Sequence, residues 1–172
     1  MRAPDISPRD RGLASAAAAL RLDQGSKLLL LYGFHFKDMV PGESVSVLPF
    51  FNLVMVWNPG VSYGLFAAHT RLGSILLVFL SLLAVIALGW WLWNAQSRAL
   101  AAGLGLVIGG AIGNNLIDRL IYGKVADFFH FYGLGYDWYV FNVADAAITF
   151  GVIALLYDAL IKPEARSGAT TS

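Results

Sequence analysis

The chain has 172 residues, 58% of them hydrophobic and only 13% charged, where an ordinary globular domain carries about 25% charge. Twelve basic and 11 acidic side chains are too few to clothe a domain of this size in water, so a membrane protein is the expected class. A net charge of +1 without a basic block excludes the electrostatic footprint of a nucleic-acid binder, and zero cysteines exclude disulfides, thiol catalysis and Cys-ligated metals.

The first predicted element is a polar-marked membrane span over 12–34, in which Arg21, Asp23 and Lys27 interrupt two apolar runs. A cleaved targeting segment is the alternative, with Ala14-Ser15-Ala16 as a processing site. The apolar residues follow that site instead of preceding it, which favours the span. Next, over 37–68, Val45, Val47 and Leu48 and then Phe51 to Trp57 read as short strands, and Asn58-Pro59-Gly60 as a turn. From Leu72 to Ser97 no charged residue occurs, which predicts a span over 70–95. A third span over 99–119 is rich in Gly103, Gly105, Gly109, Gly110 and Gly113, small residues that let membrane helices approach closely. Residues 120–141 are short and crowded with aromatics, an interfacial loop or short helix, and a fourth span covers 142–161. The expectation is a single integral membrane domain over 1–172 of the all-α class, with four transmembrane helices and a small extracytoplasmic β-element.

Four spans place both termini on one side. Arg2, Arg9, Arg11, Arg98, Lys162 and Arg166 are then cytoplasmic, against Lys37, Arg71, Arg119 and Lys124 outside, in agreement with the positive-inside rule. Trp90, Trp91 and Trp93 form the inner aromatic belt, and Tyr136, Trp138 and Tyr139 the outer one.

Polar groups at membrane depth cost about 2.5 to 3.5 kcal/mol each, so each is a functional hypothesis. They gather at one level: Asn114, Asn115, Asp118 and Arg119 end the third span, Asp127 follows, and Asn142 and Asp145 begin the fourth. A short connection makes those two helices neighbours, so Asp127 and Asp145 can face each other. At about 4 Å and an effective dielectric near 20, two carboxylates repel by roughly 4 kcal/mol, or about 3 pKa units, and one keeps its proton near neutral pH. One acid and one base are what an aspartyl mechanism of peptide hydrolysis needs.

Plainer readings stand beside this one. Asn142 is equally placed to cap the last helix with Asp145 in its first turn, and Asp127 to be an interfacial loop acid. Asp118 reads as a structural ion-pair or helix-end residue. His130, three residues after Asp127, has no third ligand at metal-site spacing, and His35 and His69 read as loop residues. Gly60-Val61-Ser62-Tyr63-Gly64 matches the G-x-S-x-G elbow of serine hydrolases, but that elbow needs an α/β sheet for which this chain has no room. A proton-coupled or non-enzymatic membrane subunit using the two Asp residues as a relay is the rival from another class.

Five segments, in order along the chain, resemble the lipoprotein signal peptidases (signal peptidase II). They are Asp23-Gln24-Gly25-Ser26-Lys27; Phe51-Asn52-Leu53 leading to Asn58-Pro59-Gly60; Gly109 to Leu120; Val125-Ala126-Asp127-Phe128; and Phe141 to Ile148. The resemblance implies a four-helix inner-membrane aspartyl endopeptidase that removes signal peptides from prolipoproteins, cutting before a diacylglyceryl-modified cysteine near the periplasmic face. It also implies an outer β-cradle and a periplasmic helix over the site. Asp127 and Asp145 match the family's catalytic residues. Asn58, Gly60, Asn115, Arg119 and Asn142 match its polar site, and Asp23 and Lys27 its first-span polar pair, giving the expected substrate-binding set. Partners implied are the lipid-modified substrate and membrane lipids, with no nucleic acid, no cofactor and no metal, in a monomer. The third segment departs from the pattern by one extra residue: counted from Asp118-Arg119 the site amide is Asn115, counted from the glycines it is Asn114. His130 replaces an acid common after the catalytic Asp, and Arg21 makes the first span unusually polar.

Overall fold

The computed structural model describes residues 6–40, 43–60 and 71–161. Ser62, His69, Lys162, Arg166 and the terminal tails lie outside the described residues. Helix α1 (Pro8–Leu28) starts where the Ser7 side chain accepts from the Asp10 N–H and Pro8, which has no N–H to waste, takes the first position. A π-helical turn, Leu29–Gly33, extends it. Strands β1 (Ser44–Leu48) and β2 (Phe51–Asn58) follow, then α2 (Arg71–Trp93). Helix α3 (Arg98–Ala111), capped by Ser97, runs without a break into a π-helical segment, Ile112–Asp118, and a last turn α4 (Arg119–Tyr122). Strands β3 (Val125–Gly133) and β4 (Tyr136–Asp137) lead to α5 (Val143–Ile161).

Among the described residues three helical stretches are long and apolar enough to cross a bilayer: Leu72–Trp93, Arg98–Tyr122 and Val143–Leu160. Helix α1 carries Arg9, Asp10, Arg11, Arg21, Asp23 and Lys27 and is not one of them. Ile75, Phe79 and Ile86 of α2 and Phe150, Ile153 and Leu160 of α5 are exposed, a surface suited to lipid and costly in water.

Helix α3 lies between α1 and α5, and its glycines make that possible. A Cβ on Gly109 would sit 2.9 Å from the Ala19 Cβ of α1, and one on Gly103 would sit 2.9 Å from the Gly151 carbonyl oxygen of α5. Gly105 faces the Gly12 backbone and Gly110 the Ala144 carbonyl. The spaces beside the α3 glycines are therefore filled by the protein's own helices, through backbone approaches that only small residues permit. Helix α2 rests on α3 through Leu92, in a cluster with Ala101, Leu104 and Ile108.

The four strands form one antiparallel sheet in the order β1-β2-β3-β4. Residues 120–141, expected as a loop or short helix, thus supply one helical turn and two strands. Phe128, Phe129, Phe131 and Tyr132 suit a pleated, half-buried surface, and β2 offers the hydrogen-bonding partner, a pairing that local sequence does not reveal. Phe128 and Ala126 pack under the sheet against Leu30, Leu31 and Phe36, tying it to the end of α1.

Candidate active site

Strand β3 carries Asp127, with Val56 of β2 opposite it and Asn58 opposite Val125. Directly paired residues share a face and side chains alternate along a strand, so Asn58, Val125 and Asp127 point the same way. The register shifts between Leu53 and Val56, where β2 holds one residue more than β3; such a bulge re-aims the side chains beyond it. The Asn58 amide then donates to Asp127 Oδ2 at 3.1 Å, its orientation set because Asn58 Oδ1 accepts from the Gly60 N–H at 3.0 Å.

Asn142 and Asp145 form a reciprocal cap at the start of α5. The Asp145 N–H donates to Asn142 Oδ1 at 3.0 Å, and the Asn142 N–H donates to Asp145 Oδ2 at 3.1 Å. The Asn142 amide nitrogen is left facing β3 and donates to Asp127 Oδ1 at 2.6 Å. Asn142 thus caps the helix and touches both acids at once.

The π-helical segment bears the two asparagines of the register question, and a π path takes in one residue more than an α-helical one. They meet different partners. Asn114 donates to Asp145 Oδ1 at 2.9 Å and accepts from Lys27 Nζ at 2.6 Å, while Asn115 Oδ1 accepts from Arg119 Nε at 3.3 Å. Arg119 also donates to the Pro59 carbonyl at 3.0 Å and to the Gly60 carbonyl, so it ties the end of β2 to the Arg98–Tyr122 stretch. Asp118 is an ion-pair residue, but its partner is Lys27 on α1 at 2.8 Å instead of the adjacent Arg119.

Asp23 and Lys27, one helical turn apart, pair at 2.8 Å and are both buried. Asp23 Oδ1 accepts from the Ala144 N–H at 3.1 Å, and Gln24 donates to Asp23 and Asp118 at 3.0 Å each. Gln24 and Asp118 are the members of this network outside the expected site set, and Asn114 is the alternative that counting from the glycines gave. The only signal for Gln24 was its position inside the Asp23–Lys27 segment. His130 lies on the face of β3 opposite Asp127, with Nε2 at 3.3 Å from Asp137. His35 is exposed beside Asp38.

Asp127 is 2% exposed. Burial, and then the charge of Asp145, push its carboxyl from an ordinary 3.8 up to about 7, against the hydrogen bonds from Asn58 and Asn142 and the charge of Lys27. Near neutral pH this group can therefore donate or accept a proton. Among the described residues no group of three or more His, Asp or Glu is placed to hold a metal ion.

An apolar helical bundle whose helix ends meet a small antiparallel sheet, with buried Asp127 and half-buried Asp145 both bonded to Asn142 at that junction, defines a membrane protein with a polar centre. The family model for Signal peptidase (SPase) II matches residues 15–161, and the chain belongs to that family. It is 52% identical over 164 residues to the lipoprotein signal peptidase of Methylobacterium sp. (strain 4-46), covering 95% of this chain and 96% of that one. It is 49% identical over 162 residues to that of Rhodopseudomonas palustris (strain TIE-1), covering 91% and 95%. A bacterial membrane enzyme solved by the in meso method at 2.3 Å superposes with a TM-score of 0.74 at 28% identity, over 90% of this chain and 93% of the other.

Proposed function

We propose that the chain is an aspartic endopeptidase that removes the signal peptide of prolipoproteins, cleaving before a diacylglyceryl-modified cysteine, with Asp127 and Asp145 as the catalytic pair. The observation that carries this is the linkage of both carboxylates through Asn142, in a chain of this family. In the reaction the ionised carboxylate takes a proton from a water held between the two. The resulting hydroxide adds to the scissile carbonyl, and the protonated carboxyl donates to the carbonyl oxygen. The tetrahedral diol then collapses: the carboxyl protonated in the first step gives its proton to the departing amine nitrogen, the C–N bond breaks, and the other carboxylate takes a proton from one diol hydroxyl, which leaves a carboxylic acid product and restores both groups to their starting states.

The other site residues shape this centre. Asn58 and Asn142 hold Asp127, and Arg119 with Asn115 holds the Pro59 and Gly60 carbonyls as a wall for the substrate chain. Asp23 and Lys27 close its back, away from solvent. In this reading α1 crosses the bilayer with the three apolar helical stretches, its charges turned inward. One membrane domain then has both termini in the cytoplasm and the pair near the periplasmic face. The substrate's acyl chains bind from the bilayer at about 0.8 kcal/mol per buried CH₂, and a monomer suffices.

The test is cleavage of a diacylglyceryl prolipoprotein by the purified protein in detergent, followed by gel shift. Wild type is expected to produce the shorter band, and Asp127→Asn and Asp145→Asn to produce none while still inserting into membranes. Turnover by either variant removes the pair from the mechanism.

A further inference from the structure

We propose that Lys27 is a positioning residue which, through Asn114, assigns the two carboxylates their roles, making Asp145 the ionised base and Asp127 the protonated acid. This rests on the paired-carboxylate reading above.

Lys27 is 2% exposed and enclosed by protein groups: it donates to Asp23 at 2.8 Å and to Asn114 Oδ1 at 2.6 Å, and its ammonium lies 2.8 Å from the Asp118 carboxylate. An ammonium can only donate. The Asn114 carbonyl oxygen must therefore face Lys27, and its amide nitrogen must face Asp145 Oδ1, where it sits at 2.9 Å. Turning that amide over would put an NH₂ against the ammonium and a carbonyl oxygen against a carboxylate. The second Asp145 oxygen takes the Asn142 N–H at the start of α5, where the helix dipole favours negative charge. Both Asp145 oxygens thus receive donors backed by positive charge.

Asp127 is held differently. Its donors are the neutral side-chain amides of Asn58 and Asn142, and the guanidinium of Arg119 is spent on two carbonyls and Asn115. The charged groups facing the pair are Asp23 and Lys27 from α1, Asp118 and Arg119 from the end of the Arg98–Tyr122 stretch, and each carboxylate itself; β2 contributes the neutral Asn58 among the described residues. The Lys27 charge reaches both carboxylates through space, and the Asn114 bond adds to it a contact that Asp145 has and Asp127 lacks.

The experiment measures kcat and KM for a lipid-modified prolipoprotein from pH 5 to 9 in detergent, for wild type, Asn114→Leu, Lys27→Met and Lys27→Arg. Asn114→Leu cuts the link and leaves the Lys27 ion pairs standing. Its kcat at pH 7 is expected to fall about 10- to 100-fold, the loss of one charge-assisted hydrogen bond, with KM within about twofold. The acidic limb of its profile, a property of the pair, is expected to move up by about one pH unit because the base has lost its support. Lys27→Met should behave alike, with partial recovery in Lys27→Arg. Lys27→Met also strands Asp23 and Asp118, and if it fails to fold then Asn114→Leu alone decides. An Asn114→Leu acidic limb in the wild-type position overturns the proposal even if kcat falls, because a packing defect lowers the whole profile without moving it. Turnover surviving in Asp145→Asn overturns the underlying pair instead, so the two failures are distinguishable.

Discussion

Replacing Asp127 by Asn removes one ionisable group with little change of shape, and the structure sets the sign and size of the result. Folding raises this carboxyl from 3.8 to about 7. Between those values the unfolded chain has released the proton while the folded chain keeps it. The group's contribution to stability therefore falls as pH rises through that window and is flat above it. The full difference is about 3 pKa units, or about 4 kcal/mol as an upper bound. Asn removes that cost, but its own NH₂ must face the donors on Asn58 or Asn142, a mismatch of about 1 to 3 kcal/mol. Asp127→Asn is expected to be more stable than wild type by about 1 to 3 kcal/mol at pH 8, and less stable by about 1 to 3 kcal/mol near pH 4. For a chain of this length each kcal/mol is about 2 to 4 °C in Tm, so thermal unfolding followed by tryptophan fluorescence in detergent at pH 4.5, 6 and 8 resolves the crossing. A stability difference that stays flat with pH, or that favours Asn toward acid, refutes the reasoning.

Asn142 performs two separable tasks. Asn142→Ser keeps a cap acceptor for the Asp145 N–H and loses the bond to Asp127, so it is expected to fold within about 1 kcal/mol of wild type with impaired turnover. Asn142→Ala loses both and is expected to be destabilised by a further ~1 kcal/mol; chemical unfolding beside the cleavage assay checks the pair. Gly109→Ala must push α1 from α3, an overpacking cost of about 1 to 3 kcal/mol. Gly89→Ala on α2 meets nothing within 4 Å and should be neutral or slightly stabilising, as thermal unfolding of the two variants will show.

Composition and apolar run length alone determined that this is a helical membrane protein, because a bilayer demands long uncharged segments and tolerates little else. The Val45–Trp57 strands and the candidate residues were legible for a similar local reason: alternation marks a strand, and polar groups on apolar helices are too costly to be incidental. Other features belonged to the tertiary structure. The aromatic run after Gly123 is a strand because β2 lies beside it, and the spaces beside Gly103, Gly105 and Gly109 of α3 are occupied by the Gly151, Gly12 and Ala16 backbones. Whether Asp118 meets Lys27 or Arg119, and whether Asn114 or Asn115 reaches Asp145, turned on the path of a π-helical segment. A hydrogen bond depends on tenths of an ångström between chain segments distant in sequence, and only packing brings those segments together.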